Sequence, residues 1–337
     1  MKAVHLINHG DKPSCFEIKE IEKPRPQEGE VLIKVKAFGL NYADVMARHG
    51  LYRDAPPLPS VLGYDVVGTV ESVGEGVDTT KLGKHVVAVT RFGGYAEYAI
   101  ADAIAMVEVP IAMPLASAAA LATQYASAHY AAFRCSNIQE GETVFIHAAA
   151  GGVGLALIQF CKLKRCTLYA TVSNEKKAAL LCEMGVQHII NSSTQNVNEE
   201  LQRLENKVDV IFDSVGGKGV KLGFKALRAG GRIVCYGGSK LGEGKGLINL
   251  IRFGLSFGFY HPVQFLSQSK SMMGVNMLKV MSSNPSYLQH ALQESLTLLR
   301  EQKITMPIGE SFAIDELFKA HMHLQSRQSI GKIVVTW

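Results

Sequence analysis

A β-branched and aromatic run, Thr143-Val-Phe-Ile-His, breaks into Ala148-Ala-Ala-Gly-Gly-Val-Gly-Leu and resumes as the helical stretch Ala156-Leu-Ile-Gln-Phe-Cys-Lys. That order leaves few folds open. Read as G-x-G-x-x-G with Ala149 in the first place, the corner has Gly151 where backbone must approach a pyrophosphate and Gly154 where the helix packs on its strand. Gly152 and Val153 then begin a helix whose first amides face the phosphates. A turn with several glycines is often only a turn. Here it follows a strand, opens a helix and lies in a unit whose next strand ends at Val172, and that context argues for a dinucleotide site.

Downstream of the corner, strand and helix alternate. Thr167 to Val172, a helix from Glu175, His188-Ile-Ile, Val208 to Asp213 and Gly231 to Tyr236 predict a doubly wound parallel sheet, the Rossmann arrangement. The first third reads differently. Glu30-Val-Leu-Ile-Lys-Val-Lys-Ala, Val66-Val-Gly-Thr-Val-Glu-Ser-Val and His85-Val-Val-Ala-Val are closely spaced strands without intervening helices, the pattern of a small barrel or sandwich. The texture changes at the alanine-rich run from Leu115, and the closing Ser329-Ile-Gly-Lys-Ile-Val-Val-Thr-Trp is a strand suited to rejoin the first sheet. At 337 residues the chain exceeds what one core supports. The expected division is 1–124 with 269–337 as one domain and 125–268 as an inserted dinucleotide-binding domain.

Composition, 47% hydrophobic and 19% charged, is that of a folded globular protein. The net charge of +5 is scattered, which argues against a nucleic-acid partner. No secretory signal and no membrane-length apolar run is visible, and the six cysteines form no Cys-x-x-Cys pair, so free thiols in a cytoplasmic protein are expected.

Cofactor choice is read at the end of the second strand of the unit, where an NAD-selective site places Asp or Glu. This chain has Thr171-Val-Ser-Asn-Glu-Lys-Lys, with Ser173 at the diagnostic place. Lys177, one helical turn on, suits a 2′-phosphate, so NADPH is expected; the alternative is that the lysines form a solvated helix face.

Together with Gly39-Leu-Asn-Tyr-Ala-Asp, Gly50-Leu-Tyr, Leu62-Gly-Tyr-Asp-Val-Val-Gly and Val210-Ile-Phe-Asp-Ser-Val-Gly-Gly, these residues resemble the zinc-independent quinone oxidoreductase branch of the medium-chain dehydrogenase/reductases, nearest the vesicle amine transport protein subgroup. The resemblance implies a GroES-like β-barrel catalytic domain built from both chain ends, a central Rossmann domain and a nicotinamide in the cleft between them. It implies Asn41 and Ser127 near the nicotinamide and its ribose, Gly151 to Val153 on the pyrophosphate, Ser173, Lys177 and Ser192 at the adenosine end, and Gly237 and Asn276 along the nicotinamide side. Relatives often carry tyrosine where this chain has Ser192. The zinc-dependent members carry cysteine near Leu40-Asn41 and Gly-His-Glu where this chain has Gly63-Tyr64-Asp65, so no metal is expected.

The implied activity is an NADPH-dependent oxidoreductase passing hydride to a quinone or an α,β-unsaturated carbonyl, with a small hydrophobic substrate and a homodimeric state as the expected partners. The alternative is an NADPH-binding regulatory or membrane-associated protein with little turnover. Tyr52 is the candidate proton donor, or equally a pocket wall, and Asn41 the residue that orients an oxygen; Asp44 and Asp65 are weaker candidates. The apolar stretch from Leu247 to Tyr260 reads as a lid, a subunit contact or a lipid-facing surface.

Overall fold

The computed structural model describes residues 1–240 and 247–337. The chain divides into two units, one of Met1–Ala126 with Leu278–Trp337 and one of Ser127–Met277.

In the first segment the strands are β1 (Lys2–Leu6), β2 (Phe16–Glu20), β3 (Glu30–Leu40), β4 (Ser60–Val61), β5 (Asp65–Val73), β6 (His85–Val89), β7 (Tyr98–Asp102) and β8 (Met106–Glu108). In the second unit they are β9 (Thr143–Ile146), β10 (Thr167–Val172), β11 (His188–Asn191), β12 (Val208–Asp213), β13 (Leu227–Cys235) and β14 (Ser271–Gly274), and the returning segment adds β15 (Gly309–Ala313) and β16 (Lys332–Thr336).

The first unit is built on a sheet of order β15-β16-β3-β5-β6-β8, with β7 also on β3, and a smaller sheet of order β2-β1-β4. The final strand does rejoin it: β16 runs antiparallel to β3 with Ile333 opposite Leu40, and parallel to β15. Alternation along these strands turns Ile33, Phe38, Val66, Val70, Ile333 and Val335 into one core, where Phe38 stacks on Tyr95 with ring centroids 4.4 Å apart. The helix Pro285–Arg300 starts with proline at its first turn and buries Leu288, Ala291, Leu292, Ser295 and Leu296, the spacing of one helical face.

The second unit is a six-stranded, all-parallel sheet of order β11-β10-β9-β12-β13-β14, the doubly wound order that reverses beside β9. Its central strands are buried on both faces, which is why β9 and β12 are runs of Val, Ile and Phe without alternation. The first boundary falls two residues later than expected, after Ala126, and the second shifts further. Ser271–Gly274 pairs in parallel with β13 and completes this sheet, so the chain returns to the first unit at Leu278 and not at 269.

The apolar stretch forms the helices Leu247–Ser256 and Pro262–Gln268. Phe253 and Phe257 meet edge to face at 5.0 Å and pack over Gly216, while Phe265 meets Phe224 at 5.4 Å. The other side is bare: Phe259 and Leu266 are 86% and 82% exposed. Among the described residues no helix is long and apolar enough to cross a membrane.

Close packing at Gly154 and burial at Asp44 each constrain the residue that can stand there. A Cβ on Gly154 would lie 2.5 to 2.7 Å from backbone atoms of Ala149, so the helix Gly152–Leu163 can sit this close to its turn only with glycine there. In the first unit the short helix Tyr42–Arg48 starts with Asp44 Oδ2 accepting from the Asn41 amide at 2.8 Å, while Asp44 Oδ1 finds no hydrogen-bonding partner among the described residues. Asp44 is wholly buried, and that desolvation pushes its carboxyl up from 3.8 to about 7, with the nearby Asp65 adding to the effect.

Gly154→Val is expected to cost the second unit about 3 kcal/mol in denaturant unfolding, because backbone cannot yield as a side-chain tip does. For Asp44 the folded chain holds its proton more tightly than the unfolded chain. Its contribution is therefore intact below pH 4, declines as pH rises toward 7, and above 7 leaves a penalty of up to about 4 kcal/mol. Asp44→Asn keeps an oxygen for the Asn41 amide and removes the charge, so it should stabilise the protein at pH 8 and lose that advantage at pH 4. An advantage independent of pH would assign the effect to something other than ionisation.

Candidate functional site

In the second unit the expected cofactor residues gather at the carboxyl ends of the parallel strands, where ligands of such sheets bind. After β9 the chain turns through Ala148, whose φ of 49° lies in the left-handed region, and two bonds tie the turn to the neighbouring strand: Ala148 N to Thr171 Oγ1 and Ala149 N to Thr171 O, both 2.9 Å. Ala149 is buried and the chain then extends to Gly151, the N-cap of the helix. Unlike Gly154, Gly151 is not needed by the fold, since a Cβ there would touch only Ala148 O, at 3.4 Å. Its bareness leaves backbone open to a ligand, and the first amides of the helix, Gly152, Val153 and Gly154, have no acceptor within the helix by geometry alone. The cradle fits a diphosphate.

The neighbouring strand ends supply the rest. Ser173 is exposed just past β10, and Asn174 caps the next helix by accepting from Lys177 N at 3.0 Å. Lys177 itself is only 6% exposed, so it does not belong to a solvated helix face. Asn191, at the end of β11, donates to Glu175 at 2.6 Å, and the exposed Ser192 donates both its amide and its hydroxyl to Val172 O, at 2.8 and 2.9 Å. Gly237 follows β13, where a Cβ would meet Ser214 O at 2.8 Å, and the exposed Asn276 follows β14. Ser127, half-buried, opens the unit.

A buried pair beneath the turn was not anticipated. His147, 4% exposed, has Nε2 3.4 Å from Asp213 Oδ2, while the other oxygen of Asp213 accepts from the amides of Val215 and Gly216 at 3.1 and 2.6 Å. Burial lowers the His147 pKa against the pull of Asp213, which keeps the ring neutral. The two side chains lie next to each other at the ends of β9 and β12, and neither His147 Nε2 nor Asp213 Oδ2 makes a hydrogen bond among the described residues. The one signal in the sequence was a polar residue at the end of each of two apolar strands.

The remaining candidates, Asn41 and Tyr52, lie on the first unit. Asn41 is half-buried, and its side chain joins a polar cluster inside the sheet. Lys332 Nζ lies 2.6 Å from Asp65 Oδ2, with neither side chain exposed, and Thr123 donates to Asp65 Oδ2 at 2.5 Å from a π-helical turn, Leu121–Tyr125. A Cβ on Gly39 would fall 1.7 Å from Asp65 Oδ1 and 2.3 Å from Lys332 Cε, so only glycine leaves room for the ion pair. Sequence reading missed Lys332 and Thr123; the lone lysine inside Ile330-Gly-Lys-Ile-Val-Val was the available signal. Tyr52 packs against the core, edge-on to Tyr64 at 6.1 Å, and burial raises its phenol above the ordinary value, so at neutral pH it carries its proton.

These residues do not suit zinc. Where zinc-dependent relatives would place cysteine and histidine, the chain has an amide, a phenol and a carboxylate, and the carboxylate is already neutralised by an ammonium that a divalent ion would repel.

Known proteins agree with this layout. Residues 27–111 match the alcohol dehydrogenase GroES-like domain and residues 152–294 the zinc-binding dehydrogenase domain. The human synaptic vesicle membrane protein VAT-1 homolog is 31% identical over 316 residues, 93% of this chain and 80% of that one; the zebrafish counterpart is longer, and the chain spans 65% of it. The bovine quinone oxidoreductase-like protein 2 is 31% identical over 331 residues, covering 96% of this chain and 91% of that one. Among solved structures, Escherichia coli quinone oxidoreductase complexed with NADPH superposes with a TM-score of 0.84 at 27% identity, with all of both chains covered. The strand order, the glycine corner and these matches make the chain a member of the medium-chain dehydrogenase/reductase superfamily, in the branch that holds the quinone oxidoreductase-like proteins and the VAT-1 homologs.

Proposed function

We propose that this protein is a zinc-independent, NADPH-dependent reductase of quinones or α,β-unsaturated carbonyl compounds. The observation that carries the reading is the corner at Ala148 to Gly154, open at Gly151 and flanked at the next strand end by Ser173 and Lys177 with no carboxylate in the diagnostic place. A solved relative that carries NADPH supports the cofactor choice.

NADPH held by the amides of Gly152 to Gly154 would supply a hydride to the β-carbon of an enone, and the negative charge that would then grow on the carbonyl oxygen would be quenched by a proton. With no metal to polarise the carbonyl, the protein's part is to position the reactants and to offer a hydrogen bond where negative charge grows. Asn41 is the donor on the first unit, and Tyr52, which holds its proton at neutral pH, or solvent supplies the proton.

A second reading has an observation of its own. Ile251, Leu255, Phe259, Val263 and Leu266 form an exposed apolar surface, and the helix Lys218–Ala226 exposes Lys218, Lys221 and Lys225 without an acidic residue; a Cβ on Gly258 would lie 3.5 Å from the Lys221 side chain. Apolar side chains beside cations suit an anionic lipid surface, which fits a membrane-associated protein of the VAT-1 type.

Incubation of the purified chain with NADPH and a panel of quinones and enones, followed at the NADPH absorbance band, should show acceptor-dependent oxidation; tight NADPH binding without oxidation would favour the second reading. Lys177→Ala should weaken NADPH by about tenfold or more while changing NADH little, as expected for loss of a charge-assisted bond, and equal losses would remove the phosphate assignment. Gly151→Val should leave the unfolding midpoint in place and abolish cofactor binding in a fluorescence titration. Retained affinity would contradict the pyrophosphate cradle.

A further inference from the structure

The ammonium of Lys332 has three N–H groups and three acceptors: Asp65 Oδ2 at 2.6 Å, Asn41 Oδ1 at 2.9 Å and Thr123 Oγ1 at 3.0 Å. An ammonium only donates, so the atom of the Asn41 carboxamide turned toward it must be oxygen. A carboxylate only accepts, so the atom turned toward Asp65, 3.0 Å away, must be Nδ2. Thr123 Oγ1 accepts one of the ammonium's protons at 3.0 Å and gives its own single proton to Asp65 Oδ2 at 2.5 Å, so it closes the cluster around the ion pair. Rotating the carboxamide by half a turn would set N–H against ammonium and oxygen against carboxylate, and both bonds would be lost beside wholly buried charges. The orientation of Asn41 is therefore locked from inside the sheet.

The lock has a consequence at the surface of the unit. One Nδ2 hydrogen goes to Asp65; the other has no partner among the described residues, and Asn41 is only half-buried. We propose that Lys332 is a positioning residue which, with Asp65 and Thr123, makes Asn41 a hydrogen-bond donor dedicated to a carbonyl oxygen, and never an acceptor. This rests on the reductase reading above. The oxygen served belongs either to the electron acceptor, where it gains charge as hydride arrives, or to the carboxamide of the nicotinamide.

The test is a mutational cycle on the full chain: Asn41→Ala, the paired change Lys332→Met with Asp65→Asn, which leaves no unmatched charge inside, and all three together. Loss of a donor at a developing oxyanion costs about a hundredfold, so Asn41→Ala should lower turnover, or raise the NADPH Kd, by that order. The paired change should lower the same quantity by about tenfold or more, and the triple variant should be no worse than Asn41→Ala alone, because the lysine acts only through the asparagine. A fall in kcat at unchanged NADPH Kd assigns the oxygen to the acceptor, and a rise in Kd at retained kcat assigns it to the nicotinamide; both support the proposal. Losses that multiply in the triple variant, or a folded paired variant with wild-type kinetics, overturn it while leaving the reductase reading intact. A wild-type chain that binds NADPH but reduces no acceptor ends the reading and the proposal together. Should the paired variant fail to fold, Thr123→Val, which removes one hydroxyl and no charge, takes its place in the cycle with the same expected non-additivity.

Discussion

A lysine and an aspartate with neither side chain exposed set the terms for much of the first unit. Such a pair is costly to bury, and here the three ammonium donors are satisfied while Asp65 takes all its hydrogen bonds on Oδ2 and none on Oδ1. Several features of the chain follow from that demand. Position 39 is glycine because any side chain would stand where the pair lies, and Thr123 reaches it from a helix that widens into a π turn. β16 must pair with β3 in the register that places Ile333 opposite Leu40, since a slip of one residue would turn Lys332 to the other face of the sheet. Asn41 completes the set, so a residue at the edge of the unit takes its orientation from a charge buried behind it.

The second unit solves a different problem with plainer means. The corner proposed for the cofactor is made of backbone, and the side chains that matter there are mostly absent ones: Gly154 allows close packing and Gly151 leaves space unfilled. What surrounds the corner is polar and tied down, with Thr171 holding the turn from one neighbouring strand and Asp213 accepting from the Val215 and Gly216 amides below. A site that holds a dianionic ligand by main-chain amides needs this rigidity more than it needs charge.

The parallel unit was legible because its signals are local. A strand, a glycine turn and a helix follow one another within about twenty residues, and buried parallel strands are continuous apolar runs. The boundary near 269 was misplaced because Ser271-Met-Met-Gly is too short to announce itself as a strand; only its pairing with β13 makes it one. The polar cluster of the first unit was hidden more deeply. Asn41 and Lys332 are separated by 291 residues, and nothing local to either says that a sheet will bring them together. Even so, one charged residue in an otherwise apolar strand needs a partner, and that reasoning alone singles out Lys332.

The way the chain ends cross has a temporal side. On a ribosome, every strand of the parallel unit, β9 to β14, emerges before β16 does. The middle of the polypeptide can therefore finish folding while the residues that precede it still lack their last strand and the ammonium that strand carries. Until residue 332 appears, Asp65 is a carboxylate awaiting its counter-charge inside a half-built sheet, and the N-terminal segment is the part of the nascent protein most in need of protection.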